Sequence, residues 1–274
     1  MSQFVDHVID RNQVHFHGTG CKTLVLANGF GCAQTVWAPV VERLLAGGDY
    51  RVVTFDYPGT GQSDPRHYTV DQYANLHGYV TDLLDVCAIT NTTPVVIGHS
   101  ISASVAMLAS VHKPQALERL IAIGPSPHYL NDGDYHGGFE RSDIDELLAL
   151  MSRNRSHWAT FMAPQVVANS EKPAATRSVQ TQFESGDPYI LHRFGQVTFL
   201  SDIRSELTSV PIPVDILYND GDMIVPRSVI GYLGARLPRC STHKMDANGH
   251  YPHVSEPDQV AAEIFRILNA GVAK

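Results

Sequence analysis

The stretch Thr93-Pro94-Val95-Val96-Ile97-Gly98-His99-Ser100-Ile101-Ser102-Ala103-Ser104 limits the fold more than any other. Its β-branched start reads as a buried strand. The small and apolar run Ala103-Ser104-Val105-Ala106-Met107-Leu108-Ala109 reads as a helix packed close to that strand. A serine between the two, with a glycine two residues before it, fits a nucleophile elbow. That is a sharp, strained turn which lifts a serine hydroxyl above the end of a sheet. So tight a turn requires small neighbours. Gly98 meets the requirement, and Ser102, where a second glycine is usual, is still small.

The chain supplies the frame such a turn needs. Phe4–Ile9 and Gln13–His17, separated by Asp10-Arg11-Asn12, read as an antiparallel hairpin at a sheet edge. Thr23–Ala27 and Tyr50–Asp56 are strands, with a helix predicted over Gln34–Leu45 between them. The loop Tyr57–Asp64 is glycine-rich but lacks the Lys-Ser/Thr of a phosphate cradle. Helical spacing over Val70–Cys87 leads to the elbow, and Leu117–Gly124 is the next strand. This alternation predicts an α/β class with a mostly parallel sheet covered on both faces.

From Pro125 to about Ser201 the alternation stops. Four helices are predicted, over Asp143–Met151, His157–Ala168, Pro173–Glu184 and Pro188–Leu200. The alternation then resumes with the strand Val214–Tyr218, the helix Pro226–Leu237, the strand Ser241–Met245 and the closing helix Pro257–Ala270. The expected organisation is a core of residues 1–125 and 202–274, interrupted by a helical insertion over 126–201.

A serine hydroxyl is a poor nucleophile at neutral pH and needs a base, which in turn needs an orienting carboxylate. Behind an elbow serine the acid comes first along the chain and the histidine second. After the strand Val214–Tyr218, Asp220 and Asp222 compete for the acid's place. Asp220 precedes Gly221, as a solvated turn residue does, whereas the Met223-Ile224-Val225-Pro226 run packs the loop at Asp222 inward, which favours Asp222. For the base, His250 follows Gly249 in the loop after the last strand, and His253 is its rival. Gly249 frees the backbone to aim His250, and His253 reads as a loop-packing residue. A His-x-x-His pair without a third ligand or an HExxH frame is a weak metal signal, so no metal and no cofactor are expected. By elbow logic the backbone N–H groups of Ile101 and Phe30 are the oxyanion donors.

Composition excludes further classes. A net charge of -8 with interspersed signs argues against nucleic acid and anionic membranes as partners. Cys21, Cys32, Cys87 and Cys240 form no C-x-x-C pair and read as free thiols. No apolar leader or membrane span is visible, so a cytoplasmic monomer is the expectation.

Asn28–Trp37, Gly98–Ala103, Ser126–Asp132, Asp134–Glu140 and Gly249–His253 resemble one subfamily of α/β hydrolases. It contains the bacterial stress-response hydrolase RsbQ and the plant strigolactone and karrikin receptors. The resemblance implies an α/β-hydrolase fold with an eight-stranded-type sheet and a four-helix lid over a deep apolar pocket. It implies the triad Ser100, Asp222 and His250. It further implies a pocket lined by Phe30, His99, Tyr129, Phe139, Trp158 and Phe194, with Phe161 and Met223 as further candidates. The implied reaction is hydrolysis of a small apolar ester or butenolide lactone, coupled in receptor members to a signalling protein that docks on the lid. Asn28, Phe161-Met162, Gly195 and Met223 depart from the family's pattern and bear on the ligand more than on the chemistry.

Overall fold

The computed structural model describes residues 2–270. The elements in order are α1 (Ser2–Asn12), β1 (His15–His17), β2 (Lys22–Ala27), α2 (Ala38–Gly47), β3 (Tyr50–Thr54), α3 (Leu76–Ile89), β4 (Val95–His99), α4 (Ile101–His112) and β5 (Arg119–Ile123). Then come α5 (Arg141–Arg153), α6 (Arg155–Val167), α7 (Pro173–Glu184), α8 (Pro188–Leu200), β6 (Val214–Tyr218), α9 (Arg227–Arg236), β7 (Cys240–Lys244), α10 (Pro252–Ser255) and α11 (Pro257–Ala270). Among the described residues seven strands form one sheet in the order β1-β3-β2-β4-β5-β6-β7, in which only the β1–β3 pair is antiparallel. β4 sits at the centre, pairing Gly98 with Ala27 on one side and with Ala122 on the other. All five of its residues are buried, as the apolar run requires of a strand covered on both faces.

The N-terminal expectation is corrected. Phe4–Ile9 is not a strand but part of the helix α1, so the sheet of the described residues has seven strands rather than eight. The apolar positions Val5, Val8 and Ile9 repeat at three and four residues, which is a helix period. Val8 is fully buried, and Arg11 anchors the helix to α3 through Asp82 at 3.2 Å and Asp85 at 2.9 Å. The expected helix over Gln34–Leu45 is a 3₁₀ turn, Gln34–Trp37, followed by α2, with Pro39 in its first turn. The helix expected from Val70 starts at Leu76, where the Asn75 side chain caps it by accepting from the His77 N–H.

The four helices α5–α8 lie between β5 and β6, as the loss of alternation foretold. Pro173 opens α7, and Asp187 caps α8 by accepting from the N–H groups of Tyr189 and Ile190. These helices pack by apolar stripes. Trp158, Met162 and Val166 repeat every four residues along α6, and Ala175, Val179 and Phe183 do so along α7.

Candidate active site

Ser100 stands between β4 and α4 with φ 55° and ψ -123°, a strained conformation for a residue with a side chain. Its N–H donates to the Ile123 carbonyl at 2.8 Å, which ties the turn to β5. A Cβ at Gly98 would come within 2.9 Å of the Ala103 nitrogen, so the elbow closes only over glycine. Ser102 does what a second glycine could not. Its hydroxyl donates to the Asn28 carbonyl at 2.6 Å and lies 3.0 Å from the Tyr57 hydroxyl, joining the elbow to the loop after β2.

Three side chains from the ends of three strands meet in series. Ser100 Oγ lies 2.8 Å from His250 Nε2, and His250 Nδ1 lies 2.7 Å from Asp222 Oδ2. All are buried: Ser100 is 5% exposed, His250 4%, and the Asp222 side chain 6%. The other oxygen, Asp222 Oδ1, accepts from the N–H groups of Ile224 and Val225 at 2.8 and 3.1 Å. The carboxylate is thus held on both oxygens, which places Nδ1–H toward it and leaves Nε2 free to accept from the serine. The His250 loop is equally tied. His250 N–H donates to the Val166 carbonyl at 2.6 Å, and Asn219 Nδ2 donates to the Gly249 carbonyl at 2.8 Å. Gly249, at φ 75°, lets this loop pass the end of α6, where a Cβ would meet the Val167 oxygen at 2.2 Å.

The rivals stand elsewhere. Asp220 faces solvent and pairs with Lys244 and Arg227. His253 is fully buried between Trp37 and His99, its ring centroid 4.4 Å from each. Burial pushes the His253 pKa down to about 3, and burial also pushes His99 well below the usual range. His99 Nε2–H donates to the His250 carbonyl at 2.7 Å, so His99 supports the His250 loop from behind. The amides of Phe30 and Ile101 donate to no other group among the described residues. The Tyr251 hydroxyl donates to the Phe30 carbonyl at 3.2 Å, which ties down the peptide that follows Phe30.

A narrow cavity of about 30 Å³ reaches Ser100 and His250, lined otherwise mainly by apolar and aromatic groups. Phe30, Tyr129 and Trp158 line it. Phe161 and Met223 do not; they are 53% and 44% exposed, and their neighbours Met162 and Ile224 line the cavity instead. On a helix one residue turns the side chain by about 100°, and Met162 lies on the Trp158–Val166 stripe. His99 lies behind the wall. Phe194 supports the wall rather than forming it, stacking on Tyr79 at 4.3 Å and standing edge-on to Phe30 at 5.7 Å. Phe139 packs edge-on behind Phe199 at 6.3 Å. Phe183, Phe199, Val166 and Tyr251 line the cavity without having been singled out in the sequence; the four-residue stripes of α6 and α7 were the available signal for Phe183 and Val166.

A larger groove of about 610 Å³ runs between β1, α2 and α7, but it holds no activated nucleophile. Its buried acid, Asp56, already accepts from the Gln34 and Gln62 N–H groups and from the Gln34 side chain. Among the described residues no cluster of three or more His, Cys, Asp or Glu is placed to hold a metal ion. Nor is any described helix long and apolar enough to cross a membrane.

The elbow, the central strand and the strand order are those of a known class of enzymes. Residues 24–263 match the model of the alpha/beta hydrolase family, and the chain belongs to that family. It is a hydrolase by fold and family. It is 36% identical over 91% of its length to a probable esterase of Oryza sativa subsp. japonica, of which 92% is covered. It is 34% identical to the karrikin insensitive 2 receptor CA of Petunia hybrida, with 97% of this chain and 98% of that one covered. Against the strigolactone esterase RMS3 of Pisum sativum the identity is 35%, with 94% and 96% covered. Among solved structures, a hydrolase from Oleispira antarctica superposes with a TM-score of 0.92 at 31% identity, covering 97% of each chain. The resemblance to the plant receptor hydrolases therefore spans almost the whole chain, the helical insertion included.

Proposed function

We propose that this protein is a serine hydrolase that cleaves a small apolar ester or a butenolide lactone. The observation that carries the reading is the hydrogen-bonded series Ser100–His250–Asp222 opening into a mainly apolar cavity. Ser100 attacks the carbonyl carbon while His250 takes its proton. Asp222 holds the imidazole and stabilises its charged form. The N–H groups of Phe30 and Ile101 receive the oxyanion; such a donor is worth about 100-fold or more in rate. His250 then protonates the departing oxygen and later activates the water that frees Ser100. Residues 126–201 act as a lid that keeps water from the acyl-enzyme. A cavity of about 30 Å³ admits a short acyl group, so a ligand as large as a strigolactone requires α5–α8 to move apart.

A second reading, in which slow turnover serves signalling through a protein that docks on the lid, is supported by the receptor names of the relatives and by the exposed Phe161 and Tyr189 on the insertion. Under either reading the protein is cytoplasmic and monomeric, with no nucleic-acid or membrane partner. The test is intact-protein mass spectrometry after mixing with a strigolactone-type butenolide, with product followed in parallel and Ser100→Ala as control. Turnover that disappears in Ser100→Ala, with the thermal midpoint unchanged, is the expected result. A persistent mass increase beside product moves weight to the signalling reading. Turnover at the parent rate in Ser100→Ala overturns the triad.

A further inference from the structure

One hydroxyl in the cavity has no part in that mechanism. Tyr129 Oη lies 3.2 Å from Ser100 Oγ, its single side-chain hydrogen bond among the described residues. The ring is 1% exposed and stands edge-on to Phe199 at 5.4 Å. The backbone beneath it is clamped. The His128 carbonyl accepts from Ser126 Oγ and Tyr135 Oη, both at 2.7 Å. The Tyr129 carbonyl accepts from the Phe139 N–H at 3.2 Å. The fold therefore aims this hydroxyl at the reacting oxygen. Because Ser100 donates its own proton to His250, Tyr129 is the donor and the serine oxygen the acceptor. Burial pushes the phenol pKa up, so Tyr129 keeps its proton across the neutral range.

Strand order decides which substrate oxygen it serves. β2, which leads to Phe30, flanks β4 on one side. β5, which leads to Tyr129, flanks β4 on the other, as do the loops of Asp222 and His250. A substrate whose carbonyl oxygen faces the Phe30 and Ile101 amides turns its leaving oxygen toward the Tyr129 side. When Ser100 Oγ bonds to the acyl carbon it becomes an ester oxygen, a weaker acceptor than a hydroxyl. Tyr129 loses its resting partner just as negative charge gathers on the departing oxygen.

We infer that Tyr129 is a catalytic residue whose hydroxyl donates a hydrogen bond to the leaving-group oxygen while the bond from that oxygen to the acyl carbon breaks. His250 supplies the proton that the leaving group carries away, and Tyr129 keeps its own. The inference rests on the triad reading and sharpens the substrate class. Alkyl and enol esters and lactones, whose leaving oxygens are basic, gain most from such a donor; activated aryl esters gain little.

The experiment compares kcat/KM of the wild type and Tyr129→Phe on p-nitrophenyl, phenyl and ethyl acetate, which share one acyl group. A hydrogen bond to a charged oxygen predicts a loss growing from within about 3-fold on p-nitrophenyl acetate to about 10–100-fold on ethyl acetate. A loss equal across the series, or none, overturns the inference, because a ring that merely packs would move all three alike. The wild type alone provides a second reading: its log kcat/KM should fall only shallowly as the leaving-group pKa rises, and a steep fall overturns the inference without any variant. Failure of the triad itself would appear separately, as retained p-nitrophenyl acetate hydrolysis in Ser100→Ala.

Discussion

The floor and the roof of the cavity are built on different physics. The floor consists of strand ends and the turns that follow them. Its positions are set by backbone sterics and by hydrogen bonds in series, from the Ser100 N–H on Ile123 to the two backbone donors on Asp222. The roof consists of helices held by aromatic and aliphatic contacts, such as Trp158 against Phe183 at 4.7 Å, and it meets the floor through Phe199 against Phe30 at 5.6 Å. Directional bonds give the floor one arrangement. Non-directional contacts let the roof exchange one side chain for another of similar volume. Chemistry can thus stay constant below while ligand choice changes above. Beside the cavity the two halves are joined by a polar bond, the His250 N–H on the Val166 carbonyl.

The sharpest way to break this contrast is at Gly98. Gly98→Val drives carbon atoms into the backbone of Ser102 and Ala103, so the elbow must open. Displacing Ser100, the proposed nucleophile, by about 1 Å is expected to cost about 100-fold or more in kcat/KM on p-nitrophenyl acetate. Retained activity would mean that the floor is as forgiving as the roof. Trp158→Ala tests the roof. The residue is 1% exposed, and its truncation should lower stability by about 3–5 kcal/mol in urea unfolding. Phe161→Ala, three residues on but 53% exposed, should change stability by less than about 0.5 kcal/mol. Similar losses in the two variants would contradict the stripe that selects Met162 over Phe161.

A smaller effect separates the two regions by pH. His99 and His253 are buried neutral in the floor, with pKa values pushed down by burial. The unfolded chain binds protons at these histidines below pH of about 6.5, where the folded one does not. Their contribution is therefore present above about pH 6.5 and is lost as pH falls toward the folded value, which is about 3 for His253. Stability should drop by up to about 1.4 kcal/mol per pH unit for each histidine. His253→Phe should remove its share of the slope between about pH 6.5 and 5. An unchanged slope in thermal midpoints would place the acid sensitivity elsewhere.

Local physics was legible in the residues alone. Gly98 and Ser100 mark a turn because its sterics act over five consecutive positions. Pro173, Pro188 and the cap at Asp187 mark helix starts because capping acts within one turn. Asp222 and His250 followed from their places in the loops after β6 and β7. The N-terminal helix was misread because its apolar residues are few and the packing that selects helix over strand, Val8 in the core and Arg11 on Asp82, lies far along the chain. Only tertiary structure decided which faces of α5–α8 reach the cavity and how narrow it is. It alone brought the Tyr129 hydroxyl to Ser100 Oγ, 29 residues away. The four-residue stripes mark the apolar faces of α6 and α7, but which distant segment each face meets depends on helix rotation and packing, which no local pattern carries.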